Sequence, residues 1–306
     1  MSRLAPLFSI AFFPLVLGGA LLGAVGALAG GASLPVAVGV PTAVAVLVIL
    51  GAERSFPHLR SWQRSHRDVA VDLAHAVPVA GTARLVQALA PIAFLPGAAW
   101  LGERVGGSLW PDHWPWLAQL PLALLVAELF QYWGHRMMHE WEPLWRLHAT
   151  HHSAPRLYFL NAARFHPLDI GLDTLLGLLP LVLLGCPAEV QGLFALFTAV
   201  FGFLQHCNVA VRLGPLNYVF SMAELHRWHH APDPALANTN YGSNLIVWDL
   251  AFGTFLWPRH LAPPEEIGIP DLPGFPTGYW AQLASPWRWR SIRAAGRAPT
   301  WEAPPA

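Results

Sequence analysis

Between Leu4 and Ala52 the chain contains no Asp, Glu, Lys, Arg or His. A helix needs roughly 20 apolar residues to cross the hydrocarbon core of a bilayer, and only a segment that pairs its own backbone groups is stable there. The stretch therefore reads as two spans, broken at residues 30–35 ("GGASLP"). A cleaved signal peptide fits less well: only Arg3 precedes the apolar run, which exceeds the roughly 7–15 residues of a signal core. The rest of the chain agrees. Of its 306 residues 54% are hydrophobic and 12% charged, against about 25% charged in soluble domains. Eighteen basic residues balance eighteen acidic ones, so no nucleic acid or other polyanion is implied as a partner.

Four arginines (Arg54, Arg60, Arg64, Arg67) follow in "ERSFPHLRSWQRSHRD". An excess of positive charge marks the cytoplasmic side, which places this loop and the N-terminus there. Residues 69–82 carry Asp72, His75, Pro78 and Gly81 and read as an interfacial or broken helix. Residues 83–101 read as a Pro-bent third span, and 102–115 as an outer loop with tryptophans at belt height. A fourth span from Trp116 to Trp133 delivers "HRMMH" at its inner end. Residues 170–205 read as a hairpin of two short spans divided at "LLGCPAEV". The expectation is an all-α, polytopic bundle of about six spans with a cytoplasmic, histidine-rich helical cap. Its units are 1–115 (membrane helices and basic loop), 116–260 (the catalytic part) and 261–306, a cytoplasmic tail. Arg288, Arg290, Arg293 and Arg297 with Trp287 and Trp289 make that tail membrane-hugging, and the Pro-rich residues 299–306 read as a loose end.

Ten of the fifteen histidines fall between positions 135 and 230. His135 and His139 are four apart and share a helical face. His148, His151 and His152 form an H-x-x-H-H pattern that His226, His229 and His230 repeat, and each triplet reads as one stripe of imidazoles presented to a metal. Protonated imidazoles so close together would repel, so a ligand must hold them. His58, His66, His75, His113 and His260 have no such company and read as surface residues. Imidazole suits Zn, Cu, Fe or Ni. A closed structural zinc site takes four ligands, usually including Cys; Cys186 and Cys207 form no CxxC pair, and the histidines are too many for one tetrahedral ion. Two ions, each with several nitrogen ligands, fit the count. A transporter would need ionisable groups near the bilayer midplane, whereas these histidines gather at span ends; a structural or sensing zinc protein is the other alternative.

From about Trp116 to Pro258 the chain closely resembles the membrane fatty acid hydroxylase and sterol desaturase superfamily. The match is an ordered series: H-x3-H at 135/139, H-x2-H-H at 148/151/152, "FHP" at 165–167, "QHCN" at 205–208, H-x2-H-H at 226/229/230 and "NYGSNLIVWDLAFGTFLWP" at 240–258. The resemblance implies a non-haem di-iron centre, O2 as cosubstrate and oxidation of an unactivated C–H bond in a lipid, with hydroxylation ahead of desaturation. The implied ligands are His135, His139, His148, His151, His152, His226, His229 and His230, joined by His206 and, from a variable element, His166. Glu140 and Glu224 stand beside these motifs either as carboxylates orienting an imidazole or as solvated groups. Asp249, Asn240, Tyr241 and Gly242 read as an ordered turn beneath the site. No cytochrome b5-like or ferredoxin-like segment is visible, so a separate electron donor of cytochrome b5, ferredoxin or reductase type is expected. Ala-, Arg- and Pro-rich composition points to a bacterial inner membrane. Sterols, acyl chains, ether lipids, carotenoids and amino-acid-containing lipids all remain open as substrates.

Overall fold

The computed structural model describes residues 4–296. Helices α1 (Leu4–Ala29) and α2 (Leu34–Ser55) flank the expected break. They are followed by α3 (Val69–Val105), α4 (Trp116–Glu140), α5 (Glu142–His152), α6 (Pro167–Leu183) and α7 (Ala188–His206). Five short helices complete the cap: α8 (Ala223–His229), α9 (Pro234–Ala237), α10 (Val247–Phe252), α11 (Tyr279–Leu283) and α12 (Trp289–Gly296). No strand occurs among the described residues. Among the described residues four helices, α1, α2, α3 and α7, are long and apolar enough to cross a membrane; α4 and α6 pack among them.

α7 is the centre of the bundle. Val190, Leu193, Leu196, Val200, Phe201 and Leu204 are buried on several of its sides, as expected of a helix that is apolar all round. α1, α2 and α4 pack on it through Phe13, Leu17, Ile49, Leu120, Ala123 and Ala127. Outward, Leu15, Leu22, Leu47 and Ile92 are exposed and belong to the lipid-facing surface.

α3 differs from the expectation of a broken segment followed by a separate span. It is one helix of 37 residues, running through Pro78, Pro91 and Pro96 and ending at Gly106 in the left-handed region. At 1.5 Å per residue it is about 55 Å long, well beyond the roughly 30 Å of hydrocarbon. Its first turns lie within the cap, where Asp72 and His75 find partners, so these polar residues do not break it. Asp72 accepts from Arg164 Nε and from the Tyr158 hydroxyl, each at 2.5 Å. His75, expected at the surface, is fully buried; its Nδ1 lies 3.0 Å from Phe165 O and its Nε2 2.8 Å from Gln282 Oε1.

The chain reverses sharply where it builds the cap. α4 ends because Trp141 is extended, and α5 restarts with Pro143 in its first turn. Arg156 joins cap to basic loop by pairing with Asp68 at 2.6 and 3.1 Å while donating to Trp62 O. In the tail, Trp289 is buried with Ile292 against Ala149 and Leu272, not laid on a membrane as its sequence neighbours suggest. Arg293 pairs with Glu142. Arg297 and residues 299–306 lie outside the described residues.

Candidate metal centre

Nine imidazoles meet at one end of the bundle. α4 contributes His135 and His139 from its last turns, α5 contributes His148, His151 and His152, the end of α7 contributes His206, and α8 with its capping residue contributes His226, His229 and His230. Among the described residues they form two groups. His135, His139, His148, His152 and His229 make one; His151, His206, His226 and His230 make the other. Neither contains sulfur or a carboxylate, and Cys186 and Cys207 are buried free thiols.

The grouping cuts across both H-x-x-H-H motifs, contrary to the expectation that each triplet serves as one stripe. His148 and His152 are one turn apart and share a face, while His151 is rotated about 100° from its neighbour and turns to the second group. The second motif reverses the assignment: His226 and His230 join the second group and His229 crosses to the first. Each motif thus gives two imidazoles to one group and one to the other. The groups adjoin, the His152 and His230 rings stacking at 4.4 Å between centroids.

The nitrogens converge as a shared ion requires. Within each group the candidate ligand atoms lie within 4.8 Å of one another. The closest pairs are His135 Nε2 to His148 Nε2 at 3.1 Å, and His226 Nε2 to His206 Nε2 and to His230 Nε2, both at 2.9 Å. Two nitrogens about 2.1 Å from a metal and at right angles are about 3.0 Å apart. Nε2 of each of His139, His152 and His229 is buried without a hydrogen-bond partner. Leaving such atoms unpaired costs about 1–3 kcal/mol each, a penalty that coordination removes. Burial, reinforced by the neighbouring imidazoles, pushes His151, His152, His226 and His230 well below the ordinary histidine range. Burial pushes His229 down to about 3. Neutral imidazole is the ligating form, so the donor set fits two transition-metal ions.

Acceptors behind the imidazoles set which nitrogen faces inward. Nδ1 of His135 lies 2.6 Å from Tyr241 O, that of His139 3.2 Å from Asn238 Oδ1, and that of His148 2.9 Å from Asp169 Oδ2. Nδ1 of His151 reaches Arg164 O at 3.3 Å, that of His206 Asn161 Oδ1 at 3.0 Å, and that of His229 Thr239 O at 2.8 Å. Each Nδ1–H donated outward leaves the Nε2 lone pair turned inward.

Asp249 occupies the turn as expected. Its carboxylate accepts from the Tyr241 and Gly242 amides, each at 2.8 Å, and from the Thr254 hydroxyl at 2.7 Å, which fixes the carbonyl that orients His135. Only glycine fits at 242: a Cβ there would stand 2.1 Å from Leu245 O.

His166 stands apart from both groups. Its Nδ1 accepts from Leu168 N at the start of α6 and its Nε2 lies 3.2 Å from Leu283 O, so both nitrogens are engaged and it serves as a helix cap. Glu140 pairs with Arg136, and Glu224 accepts from Leu213 N and Asn217 Nδ2; neither reaches an imidazole. The carboxylate that does is Asp169, passed over in the sequence although it stands three residues after His166 in "FHPLD". Asn161, Asn238 and the carbonyls of Arg164 and Thr239 carried no residue-type signal. Glu128, also passed over, is buried in α4 and accepts from the Ser243 and Asn244 amides, clamping the 240–245 turn from its other side.

The fatty acid hydroxylase family model matches residues 120–254. Ornithine lipid hydroxylase OlsE of Rhizobium tropici is 39% identical over 244 residues, 79% of this chain and 72% of that protein. Alkylglycerol monooxygenase of Homo sapiens is 33% identical over 156 residues, 51% of this chain and 34% of that protein, so the chain spans about a third of its length. Very-long-chain aldehyde decarbonylase GL1-9 of Oryza sativa subsp. japonica is 28% identical over 160 residues. No solved structure matches the chain.

Proposed function

The chain belongs to the fatty acid hydroxylase family, and from that premise we propose that it is an integral membrane oxygenase that hydroxylates an unactivated C–H bond of a lipid. The observation that carries the reading is the pair of adjoining all-histidine groups, buried at the end of an apolar bundle. Two iron ions held by His135, His139, His148, His152 and His229 and by His151, His206, His226 and His230 would supply activation of O2 and insertion of one oxygen atom into the C–H bond. The products are an alcohol and water, with the two electrons and two protons drawn from an external donor.

The chain's own part is positional. Asp169, Asn161, Asn238 and three backbone carbonyls hold the imidazoles in one tautomer, so the ligand field is set before metal arrives. The buried walls from α4, α6 and α7 keep bulk water from the centre, and the exposed apolar side chains of Leu125 and Phe130 on α4 and Leu168 on α6 suit an acyl chain entering from the bilayer. Residues 116–260 form the catalytic unit on this reading, with Asp72, His75 and Gln282 bracing it from outside.

Two of the relatives named above are an ornithine lipid hydroxylase and an alkylglycerol monooxygenase, which favours hydroxylation over desaturation. An amino-acid-containing or glycerol-based lipid is the substrate class we assign. The basic loop at 54–67 supports a cytoplasmic position for the centre, in a bacterial inner membrane, served by a separate ferredoxin, cytochrome b5 or reductase-type donor. The test is lipid mass spectrometry of cells expressing the wild type or His151→Ala with His229→Ala. A lipid class that gains one oxygen atom only with the wild type supports the reading. Loss of two hydrogen atoms instead would establish desaturation, and no difference between the two strains would sink both.

A further inference from the structure

The tail places two tryptophans where neither packing nor the metal centre requires them. Trp280 is 78% exposed and Trp287 74% exposed, although the segment that carries them is firmly held. Gln282 binds His75 and donates to Pro276 O, Leu283 O meets His166, and the Tyr279 ring lies 4.8 Å from His75. One face of α12 is already committed, with Trp289 and Ile292 buried beneath it. The outward tryptophans therefore cannot turn in.

Their place in the fold identifies what they meet. His75 lies in the second turn of α3 and His166 caps α6, so the segment crosses the starts of two adjacent bundle helices; the Trp287 ring is 5.8 Å from that of His166. The same turns expose Leu73, Val77 and Leu168, apolar side chains that belong in lipid. Trp280 and Trp287 thus stand where hydrocarbon gives way to head groups, the depth at which an amphipathic indole is most stable. Charge agrees. Arg288 and Arg290 are exposed and form no ion pair among the described residues, unlike Arg293. Arg288 also lines a cavity of about 250 Å³ with Gly274, Pro276, Ala281 and Ser291.

We propose that residues 279–293 are a leaflet-docking strap, with Trp280 and Trp287 seated in the head-group layer and Arg288 and Arg290 on the phosphates of anionic phospholipids. An exposed basic side chain near an anionic surface contributes on the order of 1 kcal/mol, about fivefold in affinity. Through Gln282, whose Nε2 lies 3.3 Å from Ser153 Oγ, the strap fixes the depth of the histidine cap relative to the acyl chains beneath it. This assignment does not depend on the metal or on the reaction.

Nitroxide labels at Trp280→Cys and Trp287→Cys test it in the full chain, reconstituted in vesicles of phosphatidylcholine with and without phosphatidylglycerol. A label at Glu266→Cys gives the aqueous reference, and the wild type, whose two cysteines are buried, gives the background. The expected result is relaxation by O2 exceeding that by a water-soluble nickel chelate at both tryptophan positions and the reverse at 266. Phosphatidylglycerol should deepen both labels, and Arg288→Gln with Arg290→Gln should abolish that response. Chelate access at 280 and 287 equal to that at 266 would overturn the strap and leave the face to a soluble protein. Labels at depth with no dependence on phosphatidylglycerol in the wild type would overturn the phosphate contacts.

Discussion

The Asp169 carboxylate lies 2.9 Å from Nδ1 of His148, and neither group reaches solvent. A carboxylate behind a ligating imidazole raises its basicity and fixes its ring, and removing one typically costs about 10- to 100-fold in metal affinity. Asp169→Asn should therefore weaken retention in the five-histidine group by about that factor, leaving the other group intact. Metal remaining after graded chelator treatment checks this; retention equal to the wild type would show that Asp169 only fills space.

The crossed use of the two H-x-x-H-H motifs gives an unusual pattern of double variants. His152→Ala with His229→Ala strips two ligands from one group, although the residues come from different motifs. His151→Ala with His229→Ala takes one from each. The first pair should lose one metal and keep the other, whereas the second should weaken both. If each motif instead served its own ion, His148→Ala with His151→Ala would be the variant that spares one site.

Gly242→Ala meets the carbonyl of Leu245 at a distance no Cβ tolerates. The turn must shift, at a cost of about 1–3 kcal/mol for overpacking, and the Tyr241 carbonyl moves with it. A lower midpoint of thermal unfolding in detergent, together with loss of metal from the five-histidine group, is the expected result.

Asp72 and Arg164 are a buried pair, and breaking one by removing a partner costs about 3–5 kcal/mol. Asp72→Ala should be destabilised by about that much, and replacing Arg164 by Met in the same chain should recover part of the loss. Because the Arg164 carbonyl also meets His151, Asp72→Ala should loosen the four-histidine group. Thermal unfolding and metal retention read the two effects separately.

Burial, with Arg227 and Arg212 nearby, pushes the His58 imidazole from 6.5 down to about 3. Between those values the folded chain binds fewer protons there than the unfolded chain. The stability this group contributes is complete above pH 6.5 and is lost as pH falls toward 3, with a slope of at most about 1.4 kcal/mol per pH unit. His58→Gln lacks that titration, so its unfolding midpoint should fall less steeply than the wild type's from pH 6.5 to 4. Parallel curves would show that His58 stays solvated.

Much of this was legible because membranes restrict the choices. Charge-free runs of sufficient length have to be helices, and the breaks at Gly30 and Gly185 mark where they turn. Histidine spacing brought eight residues to the centre because residues three or four apart on a helix share a face, and the family resemblance of "QHCN" added His206. Spacing could not reveal that His151 and His229 cross between groups, since that depends on how α5 and α8 face each other. It also could not distinguish His166 from a ligand, because a capping imidazole and a coordinating one are the same residue type. Asp72 and His75 misled the reading of α3 for a related reason. Their partners, Arg164, Tyr158 and Gln282, lie about 80 to 210 residues along the chain, so the residues looked unsatisfied where they stand.

The most direct measurement is the iron content of anaerobically loaded, detergent-purified protein, wild type beside His152→Ala with His229→Ala. Two irons per chain in the wild type and one in the variant is the result two histidine groups require. One metal or none in the wild type, unchanged by the substitutions, would contradict the two-metal centre and with it the oxygenase.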